Sequence, residues 1–257
     1  MKLMNSPMML LALIAGFTVS QSAHAQDFGK SVTGKVVYDA PTAPKAAALA
    51  VNKDKAHCLS KGAINSKAWE VNSKNLGLKN VFVWLEAKDG KMPIHPKLKA
   101  AKAKTHTIAQ PCCKFIPHAL VMRQGDILKV TNTAPIAHNF RWVGRPPINN
   151  GGNILMPAGG KPFEIKNLAA DAKFPIIVSC DIHSWMSAYV RVFDHPYATL
   201  TDENGQFTME LPPAGDYVLK MWHPASGWVG GFKGRKGYPV NIKANADTEA
   251  GSWKQGP

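Results

Sequence analysis

Cys180-Asp181-Ile182-His183-Ser184-Trp185-Met186 sets a thiol, an imidazole and a thioether at Cys-x-x-His-x-x-Met spacing. The flanking stretches, Phe174 to Ser179 and Ala188 to Phe193, are strand-like, so the seven residues read as a loop at the end of a sheet. Upstream, His138 and Asn139 lie on a third strand-like stretch, Ala137 to Val143. Each residue alone has an ordinary explanation. A single buried Cys is a small apolar core residue, a single His on a strand is a hydrogen-bonded polar group, and a Met after a Trp is packing. Together, the four side chains His138, Cys180, His183 and Met186 make a donor set with a specific chemistry.

That set is the one used by mononuclear blue (type 1) copper sites. Thiolate and thioether suit Cu(I), and imidazole serves both oxidation states, so one ligand set can hold the ion while its charge changes. Competing metal chemistries lack their motifs. Haem attachment wants Cys-x-x-Cys-His. Structural zinc wants four closely grouped Cys or His ligands, and the chain has no Cys-x-x-Cys pair.

Outward from the loop, the chain reads as all-β. Val32 to Tyr38, Asn80 to Glu86, Ile127 to Asn132, Pro162 to Lys166, Gln206 to Glu210, Asp216 to Trp222 and Tyr238 to Lys243 are further strand-like runs. Turn signals separate them: Arg123-Gln124-Gly125-Asp126, Asn150-Gly151-Gly152, Asn204-Gly205 and Pro212-Pro213-Ala214-Gly215. Short strands at this spacing argue for β-sandwiches. The sequence carries no long amphipathic helix, phosphate-binding glycine loop, nucleophile elbow or convincing pair of catalytic carboxylates, and the chain is read as a non-enzyme.

The amino terminus reads as an export signal, residues 1–25. Lys2 is the charged start, Met8 to Phe17 the apolar run, and Ala23-His24-Ala25 a small-x-small cleavage site before Gln26. The apolar run is too short to span a membrane, so the expectation is a periplasmic or secreted protein with no transmembrane segment. The formal charge is +14, and loss of Lys2 with the leader leaves +13. In an exported chain, this basicity points to an acidic redox partner or an anionic membrane surface rather than to nucleic acid. Lys88, Lys91, Lys97, Lys99, Lys102 and Lys104 crowd residues 88–104, which read as a solvated connector with room for one short helix.

If Cys180 binds metal, Cys58, Cys112 and Cys113 are left. An oxidising compartment favours one disulfide, and neighbouring cysteines are poorly placed to bridge each other. The expected bond joins Cys58 to Cys113, with Cys112 as the alternative partner and one odd thiol left over.

Residues 105–195 resemble a cupredoxin of the plastocyanin/amicyanin kind. The stretch CKFIPHALVMRQGDILKVTN, Cys113 to Asn132, is similar to the opening strand and Gly-Asp turn of that family, and His138-Asn139 and the Cys180 loop are similar to its copper motifs. The whole chain resembles secreted bacterial methylamine-utilization-like or plastocyanin-like proteins. These carry a similar copper loop together with a tail like TDENGQF…LPPAGDY…WH, here Thr201 to His223. That tail, with Gly34 to Ala87, resembles the two halves of a carboxypeptidase-regulatory-like or transthyretin-like sandwich.

The resemblance implies a Greek-key cupredoxin sandwich inserted into a discontinuous second sandwich of residues 26–87 and 196–257, with the connector at the entry. It implies one type 1 copper ion, with His138, Cys180 and His183 in the trigonal plane and Met186 axial. Asn139 would tie the His138 strand to the copper loop. His183 would present an exposed ring edge for the electron, beside Trp185 in an apolar docking surface or buried under the loop. His118 and His223 stay without a role, a second metal site made by the two being one reading. Ile182, where amicyanin has Pro, and Asp181 beside the thiol are departures that bear on the redox potential.

Two functions follow. One is a monomeric carrier of single electrons between a dehydrogenase or cytochrome and an acceptor. The other is a copper-binding trafficking or cell-surface module. An oxidase or nitrite reductase would need a second copper site, such as a His-Cys-His run, which is absent.

Overall fold

The computed structural model describes residues 26–171 and 173–257. The expected leader, 1–25, lies outside them. The fold is all-β. In chain order, the strands are β1 (Ser31–Tyr38), β2 (Phe82–Glu86), β3 (Thr105–Ala109), β4 (Ala119–Arg123), β5 (Ile127–Thr131), β6 (His138–Val143), β7 (Gly152–Met156) and β8 (Phe163–Ile165). There follow β9 (Ile176–Ser179), β10 (Ser187–Phe193), β11 (Ala198–Leu200), β12 (Gln206–Glu210), β13 (Gly215–His223), β14 (Gly227–Trp228), β15 (Tyr238–Ile242) and β16 (Asp247–Gln255). Among the described residues, helix is confined to single four-residue turns, α1 (Lys55–Cys58), α2 (Pro96–Lys99) and α3 (Gly231–Gly234).

The strands form two sets of sheets. β4-β10-β9-β6-β7 faces β3-β5-β8, and between them lies a core that includes Phe115, Met122, Leu128, Val130, Phe140, Val178 and Val190. The period-2 alternation of strands buried on one face produces this core: in β5, Leu128 and Val130 point in and Ile127, Lys129 and Thr131 out. The second set is β12-β1-β16 and β11-β2-β13-β14, with β15 also on β13. Its core takes Val32 and Val36 from β1, Val83 and Leu85 from β2, and Tyr217, Leu219 and Met221 from β13. β1 and β2 thus pair with strands that follow residue 197, across the whole inner set.

Two glycines make these pairings possible. The Asn204-Gly205 turn between β11 and β12 has Gly205 at φ 73°, and a Cβ there would stand 2.1 Å from the Val36 carbonyl oxygen. Gly251, at φ 121°, lies in β16 where its register against β1 shifts between Thr33 and Lys35, a bulge that favours glycine. β16 itself, DTEAGSWKQ, lacks a clean apolar alternation, so the sequence reading ended the last strand at Lys243 and missed it.

The two sets meet on one face of β4 and β10. Phe82, Trp84, Ala119 and Phe193 are buried there. Arg191 of β10 is 1% exposed, with its guanidinium 4.7 Å from the Trp84 ring centroid, 4.9 Å from Trp222 and 5.8 Å from Phe82. Burial pulls its pKa down to about 10, so it stays cationic at neutral pH and stacks on the ring faces as a cation–π contact.

Residues 47–66 cross between the sets. Ser66 N–H donates to the Ala47 carbonyl and Leu49 N–H to that of Ile64, closing a loop at its neck. Its tip is tied by the Cys58–Cys113 disulfide, leaving Cys112 as a free thiol. Leu49, Val51, Cys58 and Ile64 pack into the core of the inner set.

Replacing both Cys58 and Cys113 with Ser should lower stability by about 4 kcal/mol, the loop-closure entropy of a span this long, read from non-reducing urea denaturation. A second prediction concerns acid. Asp126 is buried, which by itself would raise its pKa, but the Lys104 and Arg123 amides and the His106 ring, at 2.8, 2.9 and 2.8 Å, hold the carboxyl below its ordinary value. Its folded pKa is below its unfolded one, so the stabilisation is present above the unfolded pKa and lost as pH falls through the folded one. Asp126→Asn should be less stable at pH 7 and should show a flatter decline of Tm below about pH 4 than the parent.

Candidate metal centre

The register of β6 against β9 builds the site. Arg141 pairs with Ser179, Trp142 with Val178 and Val143 with Ile177. Carried past Ser179 along the antiparallel pair, this register sets Phe140 opposite Cys180, Asn139 opposite Asp181 and His138 opposite Ile182. The loop is held by one carboxamide. Asn139 Oδ1 accepts from Asp181 N at 2.7 Å, from Ile182 N at 3.1 Å and from Cys180 Sγ at 3.2 Å. The Asn139 amide also points at Cys180 Sγ, at 3.5 Å. Within the loop, Met186 N–H donates to the His183 carbonyl at 2.9 Å, folding Met186 back under the turn.

The donors converge. His138 Nδ1 and His183 Nδ1 stand 2.9 Å apart, and His183 Nδ1 lies 3.8 Å from Cys180 Sγ. Bond lengths of about 2.0–2.3 Å to nitrogen and sulfur put co-ligands of one metal ion roughly 3–4 Å apart, so the three donors fit a common ion. His138 and His183 are fully buried, and Cys180 and Met186 are each 2% exposed. No carboxylate belongs to this group of His138, Cys180 and His183, so the set suits a soft or borderline transition metal and not a hard cation. Burial, and then the neighbouring His183 and His57, push the His138 pKa down to about 4 against the opposing pull of Asp54. Its imidazole is neutral at pH 7 and keeps a lone pair for a metal.

Asp181, the acidic residue beside the thiol, turns away. Its carboxylate takes hydrogen bonds from Asn153 at 2.8 Å and Asn139 at 3.3 Å and lies 3.5 Å from Arg141 Nη1. Trp185 is half-buried, 5.1 Å ring to ring from His183, and its Nε1–H donates to the Cys113 carbonyl at 3.1 Å. It also lines a cavity of about 140 Å³ with Met186, His118 and Tyr189. His118 bonds the Ser187 carbonyl and His223 lies 3.3 Å from Ser226 Oγ. Among the described residues, neither joins a three-donor cluster.

One expectation is corrected. The His183 ring edge is closed, not exposed. The disulfide-tied loop lies over it, with Asp54 Oδ2 2.9 Å from His183 Nε2 and the sulfurs of Cys58 and Cys113 within 4.8 Å of a His183 ring nitrogen. Sequence reading missed Asp54 and His57. The available signal was Asp54-Lys55-Ala56-His57-Cys58, two chemistry-bearing side chains one helical turn apart beside the disulfide cysteine.

No protein-family model and no curated protein matches this chain. Solved structures similar to it include a copper-containing nitrite reductase from Thermus scotoductus SA-01, at 18% identity and TM-score 0.30. That alignment covers 39% of this chain and 27% of the reductase, so this chain spans about a quarter of its length. A purple cupredoxin from Nitrosopumilus maritimus aligns at 18% identity and TM-score 0.28, over 34% of this chain and 97% of that one. A reduced amicyanin variant aligns at 13% identity and TM-score 0.29, over 43% and 97%.

Asn139→Ala should leave the Asp181 and Ile182 amides without their acceptor. The expected cost is about 1–3 kcal/mol, measured by denaturant titration, with faster amide exchange confined to residues 180–183.

Proposed function

We propose that the chain is an exported protein that binds one copper ion through His138, Cys180, His183 and Met186 and carries single electrons between periplasmic redox partners. The observation that supports it most is the pair of buried imidazole nitrogens at 2.9 Å with the Cys180 sulfur at 3.8 Å from one of them. Bound copper would supply a one-electron couple. The chain's own residues do the rest. Cys180 offers a thiolate to which the Asn139 backbone N–H, 3.5 Å from the sulfur, can donate, while the Asn139 carboxamide holds the loop through the Asp181 and Ile182 amides. His138 and His183 offer lone pairs from rings whose burial keeps water away. Met186 offers the weak axial thioether. Because β6 and β9 set the donor positions, little ligand movement would accompany a change of charge.

The fold reading belongs with this function. We infer that residues 105–195 are a cupredoxin domain inserted, through the connector 88–104, into a sandwich of residues 26–87 and 196–257. A chain of +13 after loss of the leader would meet an acidic dehydrogenase or cytochrome faster at low salt.

One observation favours the second reading, a copper trafficking or cell-surface module: His183 is fully buried where a carrier would be served by an exposed edge.

Copper-loaded protein should develop the intense visible thiolate-to-Cu(II) band, and Cys180→Ser should abolish it. A wild type that stays colourless after Cu(II) loading and oxidant sinks the copper reading. Stopped-flow mixing of the reduced, loaded protein with an acidic cytochrome separates the two functions. A carrier reduces it at a rate that falls with salt and retains its copper. A trafficking module is slow in that assay and gives up copper to a competing apo-protein.

A further inference from the structure

The loop over His183 is built to hold one side chain still. Hydrogen bonds between Ser66 and Ala47 and between Leu49 and Ile64 close its neck. The Cys58–Cys113 bond fixes its tip, and Leu49, Val51 and Ile64 sink into the core behind the site. Asp54 sits between these anchors at φ 49°, ψ 37°, a left-handed conformation that Asp tolerates better than most side chains. Its carbonyl accepts from the His57 and Cys58 amides, so the backbone that carries the carboxylate is tied to the turn that follows it. The carboxylate then meets His183 Nε2 at 2.9 Å.

A carboxylate only accepts hydrogen bonds. The hydrogen of a neutral His183 ring must therefore be on Nε2, and the lone pair on Nδ1. That is the nitrogen facing His138 Nδ1 at 2.9 Å and Cys180 Sγ at 3.8 Å. Carboxylate partners on the far nitrogen of a metal-binding imidazole fix its tautomer and ring angle and raise its basicity.

We propose that Asp54 is a positioning residue, which selects the Nε2–H tautomer of His183 and aims its Nδ1 lone pair into the metal centre. Its consequence for metal binding rests on the copper reading, and its effect on the tautomer does not. Asp54 lies far from the Cys180 loop in sequence, in the half of the chain that supplies none of the four proposed ligands.

The test has two arms. In metal-free protein at neutral pH, long-range nitrogen-15 NMR of the histidine rings reports the tautomer directly. Wild type and Asp54→Asn, which keeps an acceptor oxygen, should show His183 as Nε2–H. Asp54→Ala should show a mixture or the Nδ1–H form. In the second arm, Cu(II) affinity is measured by competition with a chelator. Asp54→Ala should bind about 10–100-fold more weakly than wild type, and Asp54→Asn should recover most of the loss. An Nδ1–H His183 in the wild type overturns the proposal even if neither variant folds. So does Asp54→Ala with unchanged tautomer and unchanged affinity. Wild type that binds no copper but shows the tautomer pattern overturns the copper reading and leaves the positioning role standing.

Discussion

The pairing of β6 with β9 is the constraint on which the rest depends. It is one antiparallel register, and a slip of a single residue would turn Phe140 and Trp142 out of the core and His138 out of the site together. Core packing and metal-donor geometry are therefore specified by the same pattern of side chains. The Asn139 carboxamide extends that register past the last ladder bond into the loop, where no strand geometry remains to hold Asp181 and Ile182. A short polar side chain does there what the sheet does elsewhere.

A second level of organisation comes from the contact between the two sheet sets. Most of the buried contact on β4 and β10 is aromatic, and a single cation is held among three rings at Arg191. The contact is directional, because the guanidinium must stack on ring faces and not merely touch apolar surface. It sits on the half of the five-stranded sheet away from β6 and β7, so it braces the strand leaving the Cys180 loop without covering the donors.

The covering is done by residues 47–66, which belong in sequence with the outer set and in packing with the inner one. This arrangement couples the two. The disulfide, the closed neck and the apolar anchors make the loop part of the inner core, and it brings a carboxylate to a ring that would otherwise meet solvent. On the copper reading proposed above, a centre enclosed this way loses the shortest path to a partner and gains a fixed imidazole. The balance between those effects separates a fast carrier from a protein whose task is to hold the ion.

Much of this was legible in the sequence. The all-β class followed from period-2 runs bounded by Gly, Pro and Asn, and the donor set followed from residue types whose metal preferences are intrinsic. Those are local properties, written into neighbouring residues. Strands such as β16 and β7 were not legible: β16 has little apolar content, β7 is a short run without clean alternation beside a Gly-Gly turn, and the positions of both come from partners elsewhere, β1 in one case and β6 in the other. The approach of Asp54 to His183 was invisible for a stronger reason. It depends on a disulfide, a closed loop neck and apolar anchors in a distant core, and no stretch of chain encodes that meeting by itself. Sequence determined which atoms could bind a metal and that the chain would be built of strands. Tertiary structure alone decided that the imidazole is enclosed, because enclosure depends on contacts between distant segments and not on the spacing of neighbours.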